Sequence, residues 1–199
     1  MREVELKGVV EDPAAAEAAR RALIGAGAMP VYEGRLEDRR YDTADRALAR
    51  RDDVLRLRVY RGAEVRAFLD FKGPTGYADG YKVREEDSVS VGDADALARI
   101  LEALGYVVTR EIDREIGQYA FAGAVVRFER YPRMDVLIEV EGEPAAIERA
   151  IAALGLPRPS FTAERLPDFV LRFEARTGQR AALCDRELAG DYRYSATDA

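Results

Sequence analysis

Charged and aliphatic residues alternate in several separate stretches of this chain, and in three of them the alternation runs directly into a capped helix. In Glu3-Val4-Glu5-Leu6-Lys7 an extended backbone throws three charges onto one face and two aliphatics onto the other. Any strand with one solvated side alternates like this, so the recurrence matters more than the single instance. The second unit is Lys82 to Val91, then Asp93 and a helix with Leu97, Ile100, Leu101 and Leu104 on one side, ending at Gly105. The third is Leu137 to Glu141, then Glu143-Pro144 and a helix carrying Ile147, Ile151 and Leu154, stopped by Gly155. In the first unit Asp12-Pro13 opens an alanine-rich helix that ends near Gly25-Ala26-Gly27. An acid at or near the cap, Pro in the first turn and Gly at the end are helix start and stop signals. Each helix has one apolar face that needs a sheet to cover, and the aliphatic sides of the strands supply it, which predicts an α+β fold.

Between these units Leu55 to Val59, Ala67 to Lys72, Arg110 to Arg114 and Val125 to Glu129 alternate in the same way, for about eight strands against three or four helices. The segment Thr75 to Gly80 is glycine-rich but lacks the lysine and hydroxyl placement of a nucleotide-binding loop, so it is expected to be a plain hairpin connection. From Thr177 onward periodicity is lost. The expected organisation is one domain over residues 1–176 and a polar, partly mobile tail over 177–199.

A chain of 199 residues that is 48% hydrophobic can bury one sizeable core. Its 31 Lys and Arg against 37 Asp and Glu leave a net charge of −6, which argues against a nucleic-acid partner. Any arginine cluster is therefore local and suits a small polyanion. The absence of histidine removes Ser-His triads and His-Cys zinc sites and leaves carboxylates, lysines, tyrosines or a bound metal for catalysis. A single cysteine, Cys184, excludes an intrachain disulfide and fits a reducing compartment. With no apolar run near the roughly 20 residues a bilayer span needs and no secretory signal, a cytoplasmic protein is expected, monomer or homodimer, with no membrane partner.

The charged faces of the strands collect the acids Glu3, Glu5, Glu86, Glu129, Glu139 and Glu141 and the bases Lys7, Arg56, Arg58, Lys72, Lys82, Arg84, Arg114 and Arg127. This side either faces water on an open sheet or lines the inside of a closed one. In a closed sheet so dense a mixture of charges is costly unless it is paired or binds something. A metal triphosphate fits: carboxylates take the cation, lysines and arginines the phosphate oxygens. Glu3 with Glu5 and Glu139 with Glu141 each place two carboxylates on one strand face about 7 Å apart, a donor set suited to Mg²⁺ or Mn²⁺.

The opening Glu3-x-Glu5-x-Lys7 resembles the signature of the CYTH superfamily, the triphosphate tunnel metalloenzymes, which includes class IV adenylate cyclases, thiamine triphosphatases and inorganic triphosphatases. Tyr41-Asp42-Thr43, Leu55-Arg56-Leu57-Arg58, Lys72-Gly73-Pro74, Arg84-x-Glu86, Arg114, Glu129 and Glu139-Val140-Glu141 follow in that family's order, and Ser160-Phe161 resembles its closing Ser-Tyr element. The resemblance implies a closed eight-stranded antiparallel β-barrel, or tunnel, with helices packed outside. It implies a metal side at Glu3, Glu5, Glu139 and Glu141, and a triphosphate grip of Lys7, Arg56, Arg58, Lys72, Arg84 and Arg114. Ile116 and Ser88 stand where many members carry a further base and a further glutamate. Lys7, Lys72 and Arg114 are the candidate catalytic groups. The expected substrate is ATP, inorganic triphosphate or thiamine triphosphate. The expected reaction is cyclisation of ATP to cyclic AMP and pyrophosphate, as in class IV cyclases, with triphosphate hydrolysis or non-catalytic polyphosphate or nucleotide binding as alternatives.

Overall fold

A computed structural model describes residues 2–192. In chain order it comprises β1 (Arg2–Val10), α1 (Pro13–Gly25), β2 (Met29–Thr43), β3 (Val54–Arg61), β4 (Val65–Lys72), β5 (Gly76–Ala78), β6 (Tyr81–Val91) and α2 (Ala94–Ala103). It continues with β7 (Tyr106–Phe121), β8 (Ala124–Arg130), β9 (Val136–Gly142), α3 (Pro144–Leu154), β10 (Phe161–Thr162), α4 (Leu166–Thr177) and α5 (Asp185–Ala189). The three expected helices fall where their caps place them. Asp12 accepts from the N–H of Ala14, and Asp93 from that of Ala96.

The strands pair antiparallel in the order β1-β9-β8-β7-β2-β3-β4-β6, and β6 returns to β1, so eight of them form a ring. The short β10 and β5 add to the edges of β1 and β6. Closure depends on β1 changing partner along its length. Glu3 and Glu5 stand opposite Arg84 and Lys82 of β6, while Glu5 and Lys7 stand opposite Glu141 and Glu139 of β9. A one-residue slip would exchange the two faces, burying Val4 and Leu6 among charges, so the alternation pins the register.

The aliphatic faces look outward and are covered by helices. Val4 and Leu6 of β1 pack with Val126, Ile138 and Val140 against Ala19 and Leu23 of α1 and Ile147, Ile151 and Leu154 of α3. α2 lays Leu97 and Leu101 over Tyr41, Leu57 and Leu69. A third cluster lies on the inward side of the ring, where Leu166, Phe169 and Val170 of α4 meet Ile112, Tyr131, Leu137 and Leu183, and its Ile112, Tyr131 and Leu166 line the cavity within.

Two expectations are corrected. β2 is a long strand missing from the expected set, because its outer residues Arg35, Glu37 and Arg39 are as charged as its inner Asp38 and Arg40, so polarity does not alternate. The outer charges pair with one another and with neighbours: Arg35 meets Glu37 at 3.0 Å, Arg61 meets Glu37 at 2.7 Å and Arg39 meets Asp113 at 2.6 Å. Within the expected polar tail, residues 182–184 are also an exception, for they dock on the sheet. Ala182, Leu183 and Cys184 are fully buried, the Leu183 carbonyl accepts from the Asp113 N–H at 2.7 Å, and Ala182 exchanges two backbone hydrogen bonds with Arg133. Pairing with β8 begins at Glu115 of β7, so the earlier part of that edge is open and this segment occupies it. Three apolar residues are too few to show a period, but enough to fill an unpaired edge. The rest of the predicted tail, beyond residue 192, lies outside the described residues.

A charged cavity as the candidate active site

Inside the ring is a cavity of ≈ 110 Å³. All six acids and eight bases singled out from the sequence line it. Asp38, Arg40, Tyr131 and Arg165 join them, with Val54, Ile112 and Leu166 as apolar lining. Asp38 and Arg40 were missed because β2 was missed, and Arg165 because it belongs to no strand. Tyr131 follows Glu129 at the end of β8, and the alternation running through Arg127, Glu129 and Tyr131 was the signal that could have found it. Among the described lining residues ten bases face seven acids, three positive charges in excess within a chain whose net charge is −6.

The charges are buried in pairs. Arg114 donates from Nε to Glu129 at 2.9 Å and from Nη1 to Asp38 at 3.0 Å. Arg58 grips Asp38 with two nitrogens at 2.9 and 3.1 Å, and Arg56 binds Asp70 at 2.6 and 3.0 Å. Glu129 is 1% exposed and also accepts from the Tyr131 hydroxyl at 2.7 Å. Burial works to raise its pKa, but Arg114, Lys7 and Arg127 hold it down at about 2. Asp38 is likewise kept well below the usual carboxylate range, burial being outweighed by Arg58, Arg56 and Arg114. Arg84 instead donates to the backbone, reaching the Gly73 carbonyl at 2.6 Å and that of Asp52.

On the opposite wall lysines meet glutamates. Lys72 spans both oxygens of Glu3 at 2.6 and 2.7 Å and reaches Glu86 at 3.0 Å. Lys82 meets Glu5 at 2.6 Å, and Glu139 lies between Lys7 and Arg127. Burial pushes the ammonium pKa values of Lys7 and Lys72 down, in Lys72 with help from Arg56. Glu141 is different. Among the described residues no donor or counter-ion meets it within hydrogen-bonding distance, it stands opposite Glu5 in the register, and burial with the charge of Glu3 pushes its carboxyl pKa up. Like charges directly opposite one another destabilise a sheet. Glu3, Glu5 and Glu141 make an acidic group in which Lys72 holds Glu3 and Lys82 holds Glu5, so that only Glu141 of the three has no partner among the described residues; Glu86 and Glu129 are likewise held by bases and Glu139 is shared between two.

A second group, Glu111, Asp113 and Cys184, has potential ligand atoms within 4.8 Å of one another. It lies outside the cavity and its carboxylates are engaged, Asp113 by Arg39 at 2.6 Å and Glu111 by Arg186 at 2.8 Å. No helix among the described residues is long and apolar enough to cross a membrane.

The CYTH domain profile matches residues 1–150 of the chain. No curated protein matches the sequence. Among solved structures the fold is similar to that of the PH1819 protein of Pyrococcus horikoshii OT3, at TM-score 0.69 and 23% identity over 85% of this chain and 98% of that one. It is similar also to a candidate adenylate cyclase from Vibrio parahaemolyticus, at TM-score 0.70 and 19% identity over 85% and 97% of the two chains. A third similar structure is the candidate adenylyl cyclase HpAC1 from Hippeastrum, described as having a dominant triphosphatase activity, at TM-score 0.64 and 18% identity over 91% and 98%.

Proposed function

The chain belongs to the CYTH domain family, and from that premise we propose that it is a metal-dependent enzyme acting on a linear triphosphate inside the ring, with hydrolysis as the favoured reaction. The observation that carries this reading is the concentration of charge inside the ring: ten bases and seven acids on the wall of one cavity in an acidic protein. Buried ion pairs in such numbers are poor stabilisers in themselves, because desolvation offsets much of their attraction. A polyanion that exchanges with the carboxylates for the same arginines recovers that attraction on binding.

Glu3, Glu5 and Glu141 would hold Mg²⁺ or Mn²⁺, since an all-oxygen donor set with one half-buried carboxylate that has no partner among the described residues suits a hard cation once Lys72 and Lys82 give up Glu3 and Glu5. The chemistry supplied there by such an ion is neutralisation of charge on phosphate oxygens and activation of a bound water. Arg56 and Arg58 of β3 and Arg114 of β7, the two strands that flank β2, present forked donors and bind phosphate oxygens bidentately, and Lys82 and Arg127 add charge at the wall. Lys72, drawn off Glu3 by the ligand, would stabilise the leaving oxygen. Lys7, whose ammonium is easier to deprotonate for being buried, holds or accepts the proton of the attacking water.

Hydrolysis is favoured over cyclisation because the wall has no free aromatic face for a base. Its one aromatic residue among those described, Tyr131, donates to Glu129 and lies under Arg114, 5.8 Å from the ring centre. Cyclisation of ATP stays as the second reading because Val54, Ile112 and Leu166 form an apolar part of the same wall where a base could rest. Incubation with inorganic triphosphate, ATP and thiamine triphosphate under Mg²⁺ and Mn²⁺ separates these by product. Orthophosphate release supports hydrolysis, cyclic AMP with pyrophosphate supports the cyclase, and binding without metal-dependent turnover overturns both in favour of a binding module.

A further inference from the structure

The inner face of β3 changes chemistry along its length. Val54, Arg56, Arg58 and Tyr60 share it, because alternate residues of a strand point the same way. Val54 lines the cavity with Arg165 and Leu166 at the start of α4, and the two arginines continue the wall. Tyr60 lies beyond them, toward the other end of the strand. The register extends this end sideways: on β4 Phe68 stands opposite Arg58 and Arg66 opposite Tyr60, and on β2 Leu36 stands opposite Tyr60.

Three aromatic rings gather there. Tyr32 and Tyr60 meet edge to face with centres 5.0 Å apart, and Tyr60 and Phe68 with centres 6.0 Å apart. Tyr32 is fixed against backbone. A Cβ at Gly62 would come within 2.8 Å of its ring and one at Gly34 within 2.8 Å of its hydroxyl, which donates to the Arg35 carbonyl at 3.0 Å. Arg66 lies over Tyr60 and Tyr32, 5.4 and 5.7 Å from the ring centres, and Arg58 of the cavity wall lies 6.0 Å from that of Tyr60. The rings hold both cations by their negative faces. Arg66 is exposed and has no carboxylate partner among the described residues. The top of the cluster is thus a guanidinium plane open to solvent, directly beside the proposed triphosphate site. Nucleobases stack on such planes and on aromatic rings. Two positive charges at the cluster repel a cationic ring and accept a neutral one.

We propose that Arg66, Tyr60, Tyr32 and Phe68 form a stacking site for a neutral planar base carried by the triphosphate, so that the preferred substrates are nucleoside triphosphates and esters of cationic heterocycles are disfavoured. The site lies outside the cavity wall and bears on what the triphosphate carries, not on which phosphorus is attacked. The proposal rests on the triphosphate reading of the main cavity, and the following experiment separates the two. Inorganic triphosphate, ribose 5-triphosphate, ATP and thiamine triphosphate are titrated calorimetrically into the wild type and the Arg66→Lys and Tyr60→Leu variants, without divalent metal so that nothing turns over. ATP and ribose 5-triphosphate carry the same esterified chain, so their difference reads the base. The wild type is expected to bind ATP about tenfold more tightly than ribose 5-triphosphate, the worth of one stacked base, and thiamine triphosphate no more tightly than ribose 5-triphosphate. Arg66→Lys keeps the charge and loses the plane, and is expected to cut the ATP advantage to about threefold or less while ribose 5-triphosphate affinity stays within about twofold. Tyr60→Leu is expected to cut the advantage likewise; should that variant not fold, Arg66→Lys at its exposed position carries the test. Equal affinity of the wild type for ATP and ribose 5-triphosphate overturns the stacking site and leaves the main reading standing, as does an ATP advantage that survives Arg66→Lys intact. Thiamine triphosphate bound as tightly as ATP overturns the discrimination against cationic rings. Failure of the wild type to bind inorganic triphosphate overturns the main reading and this one with it.

Discussion

Replacing Glu129 with Gln tests whether the buried charge pairs of this ring hold it together in the unliganded state. The side chain is 1% exposed, accepts from Arg114 and Tyr131, and has its carboxyl held at about 2 against an ordinary 4.5. Such a depression corresponds to about 3 kcal/mol of stability at neutral pH, and removal of one member of a buried pair costs about 3–5 kcal/mol. Arg114 keeps Asp38 in the variant, so the lower figure is expected. Because the folded pKa is lowered, the contribution is fully present above pH 4.5 and is lost as pH falls through the interval down to about 2. Urea denaturation of wild type and Glu129→Gln at pH 7, 5, 4 and 3 should therefore show a gap of about 3 kcal/mol at pH 7 that narrows below pH 4.5, and a midpoint in thermal unfolding at pH 7 lower by about 6–12 °C. The other carboxylates titrate in both proteins and largely cancel in the difference. A gap below about 1 kcal/mol at pH 7, or one equal at pH 7 and pH 3, would show that the pair stabilises neither as strongly nor by the charge argued here.

Three further outcomes are expected. Glu141→Gln should weaken Mn²⁺ binding at least tenfold by calorimetry without lowering the thermal midpoint of the metal-free protein, since it removes a half-buried carboxylate that has no partner among the described residues and whose pKa is pushed up by burial and the charge of Glu3; a destabilised variant with unchanged Mn²⁺ affinity would contradict the acidic group. Inorganic triphosphate at 100 times its dissociation constant should protect against thermal unfolding by about 2.7 kcal/mol, an effect that a purely structural set of ion pairs cannot produce. Leu183→Ala should destabilise by about 2–4 kcal/mol and speed reaction of the buried Cys184 thiol with a disulfide reagent; Cys184 labelling in the folded wild type as fast as a free thiol would refute the docking of residues 181–184.

Several levels of this structure are readable in the linear chain, for local reasons. Caps and stops at Asp12, Asp93 and Gly155 are short-range signals, and they placed three helices. The period of two through Glu3 to Lys7, Leu55 to Val59 and Leu137 to Glu141 assigned faces, because a strand sends its side chains alternately to opposite sides. That is why every one of the fourteen charged residues chosen from the pattern lines the same cavity. Where both faces are charged the pattern carries no contrast, and β2, with Asp38 and Arg40, was invisible for that reason.

Which charges neutralise one another is a property of register and closure, and no local pattern encodes it. Glu129 and Glu139 look alike in sequence, yet one is fastened to Arg114 and the other lies between Lys7 and Arg127. Glu141 has no partner among the described residues, where β1 pairs with β9 at a register that sets it against Glu5. The return of β6 to β1, the alignment of Arg40 with Arg56 and Arg110, and the burial of Leu183 on an open edge all join residues far apart in the chain. Sequence determined which side chains share a face; only the long-range pairing of the strands decided that this face turns inward, since enclosure depends on where the last strand meets the first.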